Sequence, residues 1–104
     1  MPAYLIVYRE SPVRDQAAIE EYSRRNQENA AQSQSQFGVR PLVAYGRSEG
    51  LEGANPDGIV VLEFPTYADA KGWYESPAYQ EAMAYRLKAA DWRVIIVEGL
   101  QAPL

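Results

Sequence analysis

The first apolar segment, Ala3 to Arg9, alternates: Tyr4, Ile6 and Tyr8 fall on one side, Leu5 and Val7 on the other. Aromatic and β-branched residues at a period of two predict a strand, closed by Ser11-Pro12. From Asp15 to about Gln36 the pattern predicts a long helix, with acids early and Gly38 as a stop after Phe37. A second strand is expected over Arg40 to Gly46. A loop punctuated by Gly50, Gly53, Pro56 and Gly58 follows, then a third strand over Ile59 to Phe64. Thr66, with Asp69 three residues on, reads as an N-cap. The helix it opens is interrupted at Ser76-Pro77, where Ser76 can cap a new piece running to about Ala90. Trp92 to Glu98 predicts the last strand, ended by Gly99, with Pro103 in a short tail.

The order β-α-β-β-α-β, with no repeat or linker, predicts one domain over residues 1–104. The fold class it implies is α+β: a ferredoxin-like βαββαβ unit, its four-stranded antiparallel sheet carrying two helices on one face. In the third strand Val60, Leu62 and Phe64 oppose Ile59 and Val61; in the last, Trp92, Val94 and Ile96 oppose Ile95 and Val97. Both faces of the sheet are therefore apolar. Two helices cover only one of them. At ~25 cal/mol per Å², leaving several large side chains wet would cost on the order of 10 kcal/mol. A homodimer joined through the open face is the simplest remedy.

Composition narrows the chemistry. The formal net charge of −4, with the basic residues scattered among acids, argues against nucleic acid as a partner. Cysteine and histidine are both absent. That removes disulfides, thiolate chemistry, the ordinary haem ligand, the Ser-His-Asp triad and His-rich zinc sites. No metal and no cofactor are expected. Proton transfer near neutral pH would fall to a perturbed carboxylate, a tyrosine or a lysine. The apolar run Tyr4 to Tyr8 is too short for a signal-peptide core or a membrane span, so a soluble, cytoplasmic protein without membrane contact is expected.

Several side chains admit two readings. Tyr22, Asn26, Asn29, Ser33 and Gln36 form one stripe of the long helix, either facing solvent or lining a polar cavity. Arg86 shares a helical face with Tyr79, Met83 and Ala90. A buried guanidinium keeps its charge, so it either pairs with Glu63, Glu98 or a carbonyl, or anchors an anionic ligand. Trp73, Tyr74 and Tyr79 either fill core or edge a wet pocket. Glu63, inside an apolar strand, is the carboxylate whose surroundings could suit it to base work, unless it pairs with Arg86 or Arg93. Ser76 is explained as a cap.

Leu51-Glu52-Gly53, Phe64-Pro65 and the block Trp73-Tyr74-Glu75-Ser76-Pro77-Ala78-Tyr79-Gln80 resemble the domain-of-unknown-function family numbered 1330. The opening Met1-Pro2-Ala3-Tyr4, Arg86 and the closing Val97-Glu98-Gly99 extend the resemblance over nearly the whole chain. The chain departs from the family in its first helix, with Asn26, Asn29 and Gln32 where relatives tend to carry apolar residues. The resemblance implies a dimeric α/β barrel, two ferredoxin-like subunits packed sheet to sheet. It also implies a pocket between sheet and helices, lined by Tyr22, Asn26, Trp73, Tyr74, Tyr79 and Arg86, with Glu63 a further candidate. Three functions are compatible with these residues. One is a dimer binding a small polar or anionic molecule. Another is a cofactor-free isomerase or oxygenase acting on a small organic acid. The third is a structural or regulatory dimer with a filled core. Catalytic residues and ligand identity are not legible at this level.

Overall fold

The computed structural model describes residues 1–100; the tail with Pro103 lies outside them. The elements are β1 (Ala3–Arg9), α1 (Gln16–Phe37), β2 (Arg40–Ala44), β3 (Gly58–Phe64), α2 (Tyr67–Glu75), α3 (Pro77–Ala89) and β4 (Trp92–Glu98). The strands form one antiparallel sheet in the order β2-β3-β1-β4. No helix among the described residues is long and apolar enough to cross a membrane.

Three helices stand where a βαββαβ unit has two, because the second crossover breaks in the middle. Pro77 has no amide hydrogen and sits in the first turn of α3, while Ser76 leaves the helical region at φ −63°, ψ 145°. Ser76 serves both helix ends. Its hydroxyl donates to the Trp73 carbonyl at 2.7 Å and accepts from the Tyr79 amide at 3.3 Å. The Gln80 side chain donates to the Tyr74 carbonyl at 2.7 Å. The Trp-Tyr-x-Ser-Pro-x-Tyr-Gln block is thus a helix–helix corner with most of its polar groups satisfied locally.

The other boundaries follow their caps. Asp15 accepts from the Ala18 amide at the start of α1, and Gly38 closes it in the left-handed region at φ 67°. Thr66 accepts from the Asp69 amide, as the sequence predicts. β2 ends two residues early. Tyr45 turns into the left-handed region at φ 58°, although its amide still donates to the Ile59 carbonyl. Pro41 lies on this strand, at the sheet edge, where a missing donor is tolerated.

Strand alternation sorts the sheet into two faces as expected. Leu5, Val7 and Phe64 are buried on the helix side, Leu5 and Phe64 completely. Register places Tyr4 opposite Glu63 and Val97, and Ile6 opposite Val61 and Ile95, so these side chains share the other face. Ile95 and Val97 remain 41% and 45% exposed there.

The helices do not cover the inner face evenly. α1 buries only Ala18, and it packs chiefly along α3 rather than onto the strands. Its amide-rich second half has little to gain by pressing on Val60 and Leu62, since buried amides need partners that those strands do not offer. The helix therefore stands off the sheet.

Ser76→Ala should destabilise the fold by about 1 kcal/mol through the lost cap. Leu5→Ala should cost about 3 kcal/mol through the cavity it leaves. Urea unfolding midpoints at constant slope measure both. A Ser76→Ala loss below about 0.3 kcal/mol would mean that ring packing alone holds the corner.

Candidate functional site: a cavity between α1 and the sheet

The space under α1 is an open cavity of about 580 Å³, within the size range of small-molecule sites. Its floor is apolar, built from Val7, Val60 and Leu62 of the strands and closed by Trp73 and Trp92. Its roof is mixed but richer in polar groups: Tyr22, Ser23, Asn26, Gln27, Ser33 and Gln34 of α1 face it beside Ala30 and Ala31. The stripe read on this helix, open between a solvent-facing and a cavity-lining role, reaches the cavity only in part. Tyr22, Asn26 and Ser33 line the cavity, whereas Asn29 and Gln36 do not, and the flank carrying Gln27 and Gln34 takes their place.

Of the other expected site residues, Trp73 forms part of the wall, Tyr79 and Tyr74 pack in a layer behind it, and Arg86 lies against Trp92, another wall residue. Tyr79 is the hub of this layer. Its ring lies 4.1 Å from that of Trp73, 5.6 Å from Tyr74 and 6.2 Å from Tyr22, the last edge to face. Its hydroxyl shares a hydrogen bond of 3.0 Å with the Tyr22 hydroxyl.

Arg86 is 2% exposed, two helical turns beyond Tyr79 on the same buried face of α3. Its guanidinium sits 5.3 Å from the centre of the Trp92 ring, and the Trp92 indole donates to the Arg86 carbonyl at 2.9 Å. Neither Glu63 nor Glu98 reaches it. Among the described residues it has no carboxylate partner, and its Nε and Nη1 meet no acceptor. A buried cation held only by an aromatic face and a nearby phenol is uncommon.

Glu63 does not belong to this site. β3 alternation turns it to the opposite face of the sheet, where it pairs with Arg40 at 3.0 Å rather than with Arg86 or Arg93. A one-residue offset from Leu62 is enough to move a side chain through the sheet.

Two aromatic cavity residues are not among the side chains expected from the sequence. Trp92 is counted there only as a strand residue, and Tyr45 only as the end of one. Asp57-Gly58 is the signal that could have located Tyr45. A Cβ on Gly58 would lie 2.7 Å from the Tyr45 ring, so this glycine lets the ring lie down at the cavity mouth.

The model of the family described as Domain of unknown function (DUF1330) matches residues 2–100. The chain belongs to that family. No curated protein matches it. Among solved structures, a protein of unknown function from Rhodopseudomonas palustris is similar at 18% identity and TM-score 0.67, covering 97% of this chain and 84% of that one. A dimeric ferredoxin-like protein of unknown function from Jannaschia sp. CCS1 is 13% identical with TM-score 0.69, covering 95% and 100%. An ethyl tert-butyl ether d family protein from Bacillus halodurans C-125 is 13% identical with TM-score 0.60, covering 96% and 100%. At these identities the likeness establishes a ferredoxin-like fold for this DUF1330 chain.

Burial, reinforced by the neighbouring Tyr22 phenol, pushes the Tyr79 hydroxyl far above the ordinary tyrosine value of 10, and the Arg86 charge only partly opposes it. Tyr79 therefore stays protonated in the folded chain where the unfolded chain would ionise. Stability should be intact below pH 10 and fall as pH rises beyond it. Urea unfolding at pH 9, 10 and 11 measures this, and Tyr79→Phe should flatten the decline. An unchanged slope in that variant would show that Tyr79 ionises freely.

Proposed function

We propose that the chain is a single-domain homodimer, each subunit binding a small polar or anionic molecule in the cavity between α1 and the sheet. The observation that carries this reading is the buried Arg86, without a carboxylate partner among the described residues, behind the Trp92 wall of an open cavity. A cation that has no protein anion is an attractive place for a bound one. The outer sheet face supports the dimer, since Ile6, Val61, Ile95 and Val97 form an apolar field on the side away from the described helices. Arg40–Glu63 and Arg93–Glu10 ion pairs lie on and near this field. Two subunits joined there would make a dimeric α/β barrel, in keeping with the similar structures described as dimeric.

A cofactor-free isomerase or oxygenase would need a group to move a proton. Among the described residues the cavity lining holds no carboxylate, and the phenol behind it is driven away from ionisation. Binding is therefore favoured over turnover. The cavity volume likewise favours a pocket over a filled structural core.

Light scattering on dilute protein should give about twice the 11.7 kDa chain mass, and Val61→Glu at the centre of the open face should yield monomer. A stable wild-type monomer would overturn the dimer. Arg86→Met removes an unpaired cation and keeps the apolar stem, so its unfolding free energy should fall by no more than about 1 kcal/mol. Calorimetric titration with small organic acids should show binding to wild type and binding at least about tenfold weaker to this variant, the scale of one charge-assisted hydrogen bond. A large loss of stability, with no binding in wild type either, would make Arg86 a structural residue.

A further inference from the structure

Resting on the cavity reading above, we propose that the Tyr22 hydroxyl is the donor that recognises the ligand, its proton turned into the cavity by Tyr79 and Arg86 behind it. The ligand this arrangement takes is a monocarboxylate on a flat, apolar body.

The direction follows from counting donors. A guanidinium only donates, and Arg86 has no acceptor for Nε or Nη1 among the described residues. It lies on the same face of α3 as Tyr79, which is 3% exposed and has the Tyr22 hydroxyl as the one partner of its own hydroxyl among the described residues. A cation on that side draws the Tyr79 oxygen lone pairs toward itself and sends the hydroxyl hydrogen the other way. The partner on the other way is Tyr22, at 3.0 Å. Tyr79 donates in that bond and Tyr22 accepts. The Tyr22 hydrogen is then free, and Tyr22 is the member of the pair that lines the cavity. The buried positive charge reaches the cavity as a polarised phenol rather than as an exposed arginine.

A phenol polarised in this way prefers an acceptor that carries no hydrogen of its own, which describes a carboxylate and excludes an ammonium. The remaining walls restrict the body attached to it. Val60, Leu62, Trp73 and Trp92 present apolar and aromatic surface suited to a flat ring. Asn26 and Gln27, about one turn past Tyr22 on the roof, can take the second carboxylate oxygen or a substituent beside it. An inorganic phosphate, with two charges to satisfy and no apolar part, suits this lining poorly.

In these roles Tyr22 touches the ligand, while Tyr79 and Arg86 are positioning residues. The test uses fluorescence of the neutral probe N-phenyl-1-naphthylamine in the full-length protein, displaced by 2-naphthoate and by its uncharged isostere 2-naphthamide. Wild type should bind naphthoate about tenfold or more tightly than naphthamide, the scale of one charge-assisted hydrogen bond. Tyr22→Phe should bring the two within about twofold, because the ring stays in the wall and only a hydroxyl is lost. Tyr79→Phe, which alters no cavity wall, should narrow the same ratio. Mere structural damage would lower both affinities together and leave the ratio as it was. Equal binding of acid and amide by wild type, or a preference that survives Tyr22→Phe, would overturn the donor assignment and leave the cavity reading standing. Failure of the neutral probe and of both competitors to bind wild type would overturn the cavity reading and this inference with it.

Discussion

A guanidinium keeps its proton wherever it is placed, so a chain that buries one must arrange its neighbours around that charge. Arg86 is buried on the inner face of α3 with the Trp92 ring beside it, and the indole of that ring tied back to its own carbonyl. Where the side chain points is settled upstream. α3 starts where Ser76 caps it and Pro77 opens it, and Arg86 falls on the face of Tyr79 because seven residues return a helix to nearly the same side. The corner at Ser76-Pro77 therefore places both the cation and the phenol that relays its effect. A continuous helix through this crossover would have carried the two to a different angle over the sheet.

The cavity is the complement of that arrangement. α2 and α3 bring the apolar residues that seal one part of the inner face, with Ala70, Trp73, Tyr79 and Ala82 all buried. α1 brings amides and charges instead, and much of its charge is spent within the helix, where Glu21 is held by Arg24 and Arg25 and Arg24 also meets Glu28. Those pairs hold the Glu21 carboxyl down to about 2, but they are exposed and draw α1 toward nothing on the sheet. A helix with one buried residue cannot close on a floor of Val60 and Leu62, and the gap stays open. The same economy of helices leaves the opposite face of the sheet bare.

Strand alternation was legible from residue types alone. Leu5 and Val7 lie inside and Tyr4, Ile6 and Tyr8 outside, because a period of two leaves no other choice once one face is buried. The caps Thr66 and Ser76 and the stop at Gly38 were equally legible, while Asp15, read as the first helical residue, is a cap as well; all act through bonds to residues three or four away. The break at Ser76-Pro77 was visible too, though the number of helices it produces was not drawn from it.

What the sequence by itself determined, then, is everything governed by contacts within a few residues: strand faces, helix ends, the corner block, and the absence of imidazole and thiol chemistry. Tertiary structure alone decided which distant groups meet. Glu63 looked like a partner for Arg86, yet strand register gave it Arg40 across the sheet and left Arg86 without a carboxylate among the described residues. The Tyr22–Tyr79 bond joins positions 57 residues apart, and Tyr45 reaches the cavity mouth only because Gly58 lies across the strand pair. Local pattern assigns each side chain to a face. Only the packing of α1 against α3, rather than against the sheet, determines that the faces enclose a space.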